Sequence, residues 1–493
     1  MTQRLTSADG LSAGIAIPAY DRSRLKTGIV HFGPGMFHRA HQAWYTDATL
    51  AAGNDSWGIE GAELRETDID ARLNPQNGLY TLLVRDGDGT KAQIVGSVLA
   101  AHIAPRDPER VLARLADPLV RIFSLTVTEK AYGLDPATGG LDDSHPDIAA
   151  DLVDPEKPRG VVGHIVEGLA RRRAAGNNPV TVLSCDNLAD NGKLLRRAVL
   201  AFAERRDPVL RRWIENNVPF PCTMVDRITP AATDRTLADA RAIVGREDLA
   251  AVETEPFRQW VIEDTFADGR PDWDIAGAIF AADVAPYEKM KLRMLNGSHS
   301  LLSYLGFLSG CEFVRDAMAV PALAALVRAH MAAVAGMLDP VPGISLADYA
   351  DTLCVRFTNK AIAHATYQIA MDGTQKLPQR LLEPALETLK EGRGAETFAI
   401  AVAAWMRYVL GEDDKGIPYD LRDPRSQEIA ALLRDVPRSG KDIAQRLFGL
   451  PGLFPASLLA HSRWKTTVVD TLDLMISRGV RAALDSFAAR EPA

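Results

Sequence analysis

Near residue 285 the pattern of apolar residues changes character, and that change limits the chain to a two-part build. Before it, runs of strand length alternate with stretches of helical spacing. Residues 28–32 form an apolar run followed by glycines, 36–52 are helix-like, and 57–64 read as the next strand. Residues 121–127 and 180–185 read as further buried strands, with helical spacing over 160–173 between them. This alternation predicts a mainly parallel sheet with helices on both faces, because parallel neighbours need long crossovers and helices supply them. Beyond it, residues 289–308, 320–338, 345–363 and 396–410 show helical spacing and strand-like runs become rare. Turn-forming residues interrupt the pattern at 340–343 and 411–418. The expectation is an α/β domain over residues 1–285 and an all-α domain over 286–493.

Composition narrows the function classes. The chain has 493 residues, 47% hydrophobic and 24% charged, and a formal net charge of −8. That balance argues against nucleic acid or an anionic membrane as the main partner. The four cysteines, Cys185, Cys222, Cys311 and Cys354, are scattered with no C-x-x-C pair. A disulfide framework and a cysteine zinc site are therefore not expected. No apolar run of secretory length lies near the N-terminus, and no uncharged apolar stretch approaches the ~18 residues of a membrane span. These features predict a cytoplasmic protein acting on small molecules.

The first apolar run leads into His31-Phe32-Gly33-Pro34-Gly35-Met36-Phe37-His38-Arg39. Two glycines between a strand and a helix allow a tight turn and the close approach of a pyrophosphate to the helix N-terminus. His38 stands where a third glycine would complete G-x-G-x-x-G, so this turn alone is a weak signal. Glu63, Glu66 and Asp68 follow the second strand. An acidic residue there would bind an adenosine ribose and repel a 2′-phosphate, while Arg65 would favour one. The balance leans to NAD.

Hydride transfer also needs a base for the hydroxyl proton and donors for the developing oxyanion. Lys291, Asn296 and His299 share one helical segment. At about 100° per residue, His299 lies roughly 80° and Asn296 roughly 140° from Lys291, so all three can face one cleft. A lysine on a helix is more often solvated than catalytic. What raises Lys291 above that is its company and the nucleotide turn. Burial beside a positively charged nicotinamide would lower its pKa towards working pH. Asn296 and Asn187 are candidate oxyanion donors, and neutral His299 is a candidate partner for a second hydroxyl. Asn187 follows the run 180–185, at the carboxyl end of a strand where open α/β sheets bind ligands. His31, His38 and His41 lack the nearby carboxylates of a metal site, so no metal is assigned.

Taken together, residues 33–41, Ser184-Cys185-Asp186-Asn187, Met224-Val225-Asp226-Arg227-Ile228-Thr229-Pro230 and 291–299 resemble the polyol-specific long-chain dehydrogenases, the mannitol dehydrogenase family, over nearly the whole chain. The resemblance implies a Rossmann-like N-terminal domain, a helical C-terminal domain, NAD(H) and catalysis without metal. It implies Lys291 as catalytic lysine, Asn187 and Asn296 as oxyanion donors, His299 as substrate-orienting histidine and Asp226 as an aspartate beside the site. For the cofactor it implies the turn residues Gly33, Gly35, Phe37, His38 and Arg39, with Asp68 favouring NAD and Glu129 near the nicotinamide.

One branch of that family acts on mannitol and fructose, another on D-mannonate and D-fructuronate. Thr128-Glu129-Lys130, residues 220–224, residues 255–260 and residues 368–380 resemble the second branch more closely. Gln368 stands where mannitol enzymes carry arginine. Lys130-Ala131-Tyr132-Gly133 departs from the second branch, which usually reads Lys-Gly-Tyr-Cys. A sugar acid brings a carboxylate, for which Lys376, Arg380 and Arg293 are candidate partners, with His364 a further substrate contact. The open alternatives are a mannitol or arabinitol dehydrogenase, a tagaturonate reductase and, outside enzymes, an NAD-binding sensor. A monomer or small homo-oligomer is expected.

Overall fold

The structure, a computed structural model, describes residues 3–87, 89–135 and 138–489; the Glu129 side chain is also outside the description. The chain forms two compact units, Met1–Ala285 and Pro286–Ala493.

In the first unit, β1 (Thr27–Phe32), β2 (Gly58–Glu63), β5 (Val98–Ile103), β6 (Ile122–Leu125) and β7 (Thr181–Ser184) make one parallel sheet in the order β5-β2-β1-β6-β7. Numbered within the sheet, this is the 3-2-1-4-5 order of a Rossmann fold, and the order reverses between β1 and β6. Alternate residues of each strand feed opposite faces. Val30, Phe32, Phe123, Leu125 and Val182 join one apolar cluster with helices Pro108–Ala116, Val161–Ala175 and Asn191–Arg206. Ile29, Ile59, Ile122 and Leu183 join another with helix Gln42–Leu50, Trp57, Trp260 and Trp273. Each such side chain contributes about 1.5–3 kcal/mol on burial.

Two small sheets were not legible as strands. One joins β3 (Tyr80–Asp86), β4 (Gly89–Val95) and β9 (Val252–Thr254); the other joins β8 (Thr223–Asp226), β10 (Gln259–Glu263) and β11 (Ile279–Ala281). β9 and β11 have only three residues each, too few for a periodic signal. The helix expected over 36–52 is broken at His41 (φ −119°, ψ −94°), whose Nε2 donates to the Gln259 carbonyl at 3.1 Å.

The second unit is helical apart from isolated bridges. Helix Gly297–Leu308 is buried on almost every side, which a segment apolar all round requires. Helices Val314–Met318, Pro321–Ala335, Thr366–Ala370 and Glu396–Tyr408 pack around it. The helix expected over 289–308 is continuous but not uniform: Lys291–Asn296 winds as a wide π turn. A second π turn spans Pro378–Leu382, where proline removes a helical donor. Such turns are rare and concentrate at functional sites. Among the described residues, no helix is long and apolar enough to cross a membrane.

Candidate active site

The first unit supplies a nucleotide cradle where the strand order reverses. Gly33 has φ +80°, and a Cβ there would lie 2.3 Å from the Thr126 carbonyl oxygen, so only glycine fits between the ends of β1 and β6. At Gly35 a Cβ would meet only the Gly33 oxygen, at 3.8 Å, leaving open space before helix Met36–Ala40. A pyrophosphate fits that arrangement of open room and free first-turn amides.

The structure corrects the role of two turn residues. The His38 ring is buried and stacks on His31 at 3.5 Å between centroids. Arg39 is buried too, its Nη1 donating to the Pro34 carbonyl at 3.3 Å and its guanidinium lying over the Tyr80 ring. Both side chains build the turn from beneath, so what they can offer a cofactor is main chain. His31 donates to or accepts from Ser124 Oγ at 2.8 Å and Thr126 Oγ1 at 2.9 Å, and burial pushes it down to about 3. Phe37 is half-buried against His41.

Asp68 is exposed and pairs with Arg72 at 2.9 Å, which holds its carboxyl below the ordinary range. Arg65, the residue that could have favoured a 2′-phosphate, is bound in a fork by Asp147 at 2.7 and 3.3 Å. At the carboxyl end of β7, Asn187 is exposed on a bend. Asp226 ends β8 and is 5% exposed. Sequence reasoning passed over Asp186 and Asn191, which hold this loop. Asn191 Nδ2 donates to the Asp186 and Thr223 carbonyls, both at 2.9 Å, and its Oδ1 accepts from Thr223 N at 3.0 Å.

The second unit carries the three residues expected to share one helical face. Lys291 and His299 are buried and Asn296 is half-buried. In an α-helix the fourth residue on lies nearly above the first; a π turn closes one residue later and brings the fifth there. Asn296 therefore sits closer to the Lys291 face than the 140° of an α-helix allows. His299 packs against Phe357 and edge-on to His364, with ring centroids 4.6 and 5.1 Å away. Burial, then His364, Arg356, Arg380 and Lys291, push its pKa well below the ordinary value, so the ring is neutral. Its Nε2 and His364 Nδ1 are buried with no hydrogen-bond partner among the described residues. Burial and Arg356 push His364 down to about 4. Arg356 was not anticipated; a single arginine on a helix carries no distinguishing spacing.

The three candidate cations fare differently. Arg293 already binds Glu387 in a fork, 2.6 Å at each contact, which ties the first π turn to helix Glu383–Lys390. It is a structural clamp, a correction to its expected substrate role. Lys376 Nζ donates to the carbonyls of Met371 at 2.6 Å and Ile369 at 3.3 Å, so two of its three donors are committed; burial pushes it down to about 8. Among the described residues, Arg380, on the second π turn, donates only to the Asn296 carbonyl at 3.4 Å and Ser300 Oγ at 3.3 Å. No carboxylate among the described residues pairs with it. The two π turns approach closely because Gly297 lacks a side chain: a Cβ there would lie 3.2 Å from both the Arg380 oxygen and His330 Nε2.

A Rossmann unit with a phosphate-accepting turn, joined to a helical unit carrying a buried lysine, is the build of a nucleotide-dependent oxidoreductase of secondary alcohols. The chain belongs to the mannitol dehydrogenase family: the profile of the mannitol dehydrogenase Rossmann domain matches residues 27–275 and that of the mannitol dehydrogenase C-terminal domain matches residues 283–458. It is 44% identical to the D-mannonate oxidoreductase of Escherichia coli, over 95% of this chain and 97% of that one. It is 37% identical to the mannitol 2-dehydrogenase of Phaeosphaeria nodorum, over 96% and 84%. Among solved structures, Pseudomonas fluorescens mannitol 2-dehydrogenase, in a ternary complex with NAD and D-mannitol, superposes with a TM-score of 0.87 at 38% identity, covering all of both chains. The family comprises oxidoreductases of polyols or sugar acids, and NAD, the cofactor expected from the sequence, is the nucleotide in that complex.

Proposed function

We propose that this chain interconverts D-mannonate and D-fructuronate: D-mannonate + NAD⁺ ⇌ D-fructuronate + NADH + H⁺. NAD, when bound, exchanges a hydride with the reacting C5. Gly33, Gly35 and the main chain of residues 36–39 hold the pyrophosphate, and Asp68 takes the ribose. Neutral Lys291 accepts the C5 hydroxyl proton during oxidation, and its ammonium form returns it during reduction. Asn296, in the second unit, and Asn187, in the first, are the candidate amide N–H donors for an oxygen on which charge develops. Neutral His299 orients a neighbouring hydroxyl through its unpartnered Nε2.

The observation that carries the substrate assignment is Arg380. A partly buried guanidinium with no carboxylate partner is costly to keep, and a substrate carboxylate would pair with it bidentately. The 44% identity to a D-mannonate oxidoreductase supports the same reading. A mannitol or arabinitol dehydrogenase is the second reading, favoured by the likeness to the mannitol complex. NADH oxidation measured side by side with fructuronate, tagaturonate, fructose and xylulose separates them. A clear preference for fructuronate is expected; a preference for fructose would overturn the assignment.

A further inference from the structure

Asp186 is a buried carboxylate with no cation beside it among the described residues. Its Oδ1 accepts the Val127 amide at 2.7 Å and its Oδ2 accepts the Tyr132 hydroxyl at 2.8 Å. Tyr132 in turn lies 2.6 Å from Ser184 Oγ, where either can donate, and Ser184 Oγ accepts the Asp186 amide at 3.2 Å. Ser184 Oγ is also 3.5 Å from Oδ2. The side chain thus ties the loop after β6, which leads into residues 129–132, to the loop after β7. The next residue is Asn187. On the other side, Asn191 ties the Asp186 carbonyl to β8, the strand that ends at Asp226.

We propose that Asp186 is a positioning residue: through Val127 and Tyr132 it locks the two loops at the carboxyl edge of β6 and β7 and so fixes the aim of the Asn187 amide. The inference rests on the reading of Asn187 as an oxyanion donor. The network works in either protonation state. Ionised, Asp186 accepts from Val127 and Tyr132. Protonated, it still accepts from Val127, donates to Tyr132 Oη, and the tyrosine hydroxyl turns to Ser184. This dual capacity matters because burial pushes its pKa up to about 7. A neutral group of the same shape should therefore serve. The groups around it that titrate, Tyr132 and Cys185, are both pushed well above their ordinary values and stay neutral.

The test compares Asp186→Ala and Asp186→Asn in the full chain by two independent readouts. The first is amide hydrogen exchange over residues 124–132 and 183–191, which needs no substrate. Alanine should raise exchange at least tenfold there, and asparagine should leave it near wild type. The second is steady-state reduction with the best of the four substrates above. Alanine should lower kcat 30- to 100-fold with KM changed less than threefold and NADH affinity retained; asparagine should recover most of kcat. Unchanged exchange in the alanine variant refutes the lock. Faster exchange with normal kcat refutes its effect on Asn187, whatever the substrate. Asparagine no better than alanine shows that charge is required and overturns the proposal, as does loss of NADH binding along with kcat.

Discussion

Replacing Arg380 by methionine should exchange function for stability. Methionine keeps the bulk and removes the charge. A bidentate guanidinium–carboxylate contact desolvated in a site is worth about 3–4 kcal/mol, so kcat/KM for fructuronate should fall roughly 100- to 1,000-fold. Fructose has no carboxylate, and its kcat/KM should change less than about fivefold. The folded protein, by contrast, should gain. Burial pushes Arg380 down to about 10. For a base, a lowered folded pKa means that the charged form is disfavoured in the native state at every pH below it, and the cost fades only above pH 10. A lowering of that size corresponds to about 3 kcal/mol, and to about half of that after screening, since part of the side chain meets solvent. The hydrogen bonds given up, at 3.4 and 3.3 Å, are long and return little. Urea unfolding should therefore show the variant about 1–2 kcal/mol more stable at neutral pH. Substrate kinetics and denaturation on one preparation test both halves. Equal losses for fructuronate and fructose, or a loss of stability, would refute the reasoning.

Three further outcomes follow from the geometry. Lys291→Ala should lower turnover about 10²- to 10⁴-fold while NADH binding, read by fluorescence, stays within threefold; near-normal turnover would remove the lysine from acid–base work. Gly33→Ala should weaken NADH binding at least tenfold in titration, since the added Cβ meets the Thr126 oxygen at 2.3 Å in a left-handed conformation. Burial alone would raise the pKa of Glu60, but bonds from His102, Thr27 and Arg114 outweigh it and bring it to about 2 from 4.5. This folded value is depressed, so its stabilisation of about 3 kcal/mol is present above pH 4.5 and lost as pH falls towards 2. Glu60→Gln should accordingly cost most at neutral pH, and the gap from wild type should close in acid unfolding curves; a gap independent of pH would count against the network.

Periodicity and local motif chemistry were enough to read the α/β and helical halves, the glycine turn after β1 and the lysine segment, because each is encoded in neighbours along the chain. Residues 28–32 and 180–185 are short, mostly apolar runs rich in β-branched residues, as strands buried on both faces are. Contacts distant in sequence were not legible. Nothing near Arg293 announces Glu387, 94 residues on, and nothing near Arg65 announces Asp147. Those pairings decided that Arg293 is a clamp and that Arg65 is engaged, while Arg380, alone of the three candidate substrate cations, meets no side-chain carboxylate among the described residues. The π turns were equally hidden, since their packing partners are distant in sequence: Gly297 lets the two turns approach, and Arg380 Nη1 donates to the Asn296 carbonyl of the first. By itself the sequence determined the family, and with it the oxidoreductase class, through motifs such as residues 33–41 and 291–299. Tertiary structure alone decided which charges are neutralised, because an ion pair depends on distance in space and not on spacing along the chain.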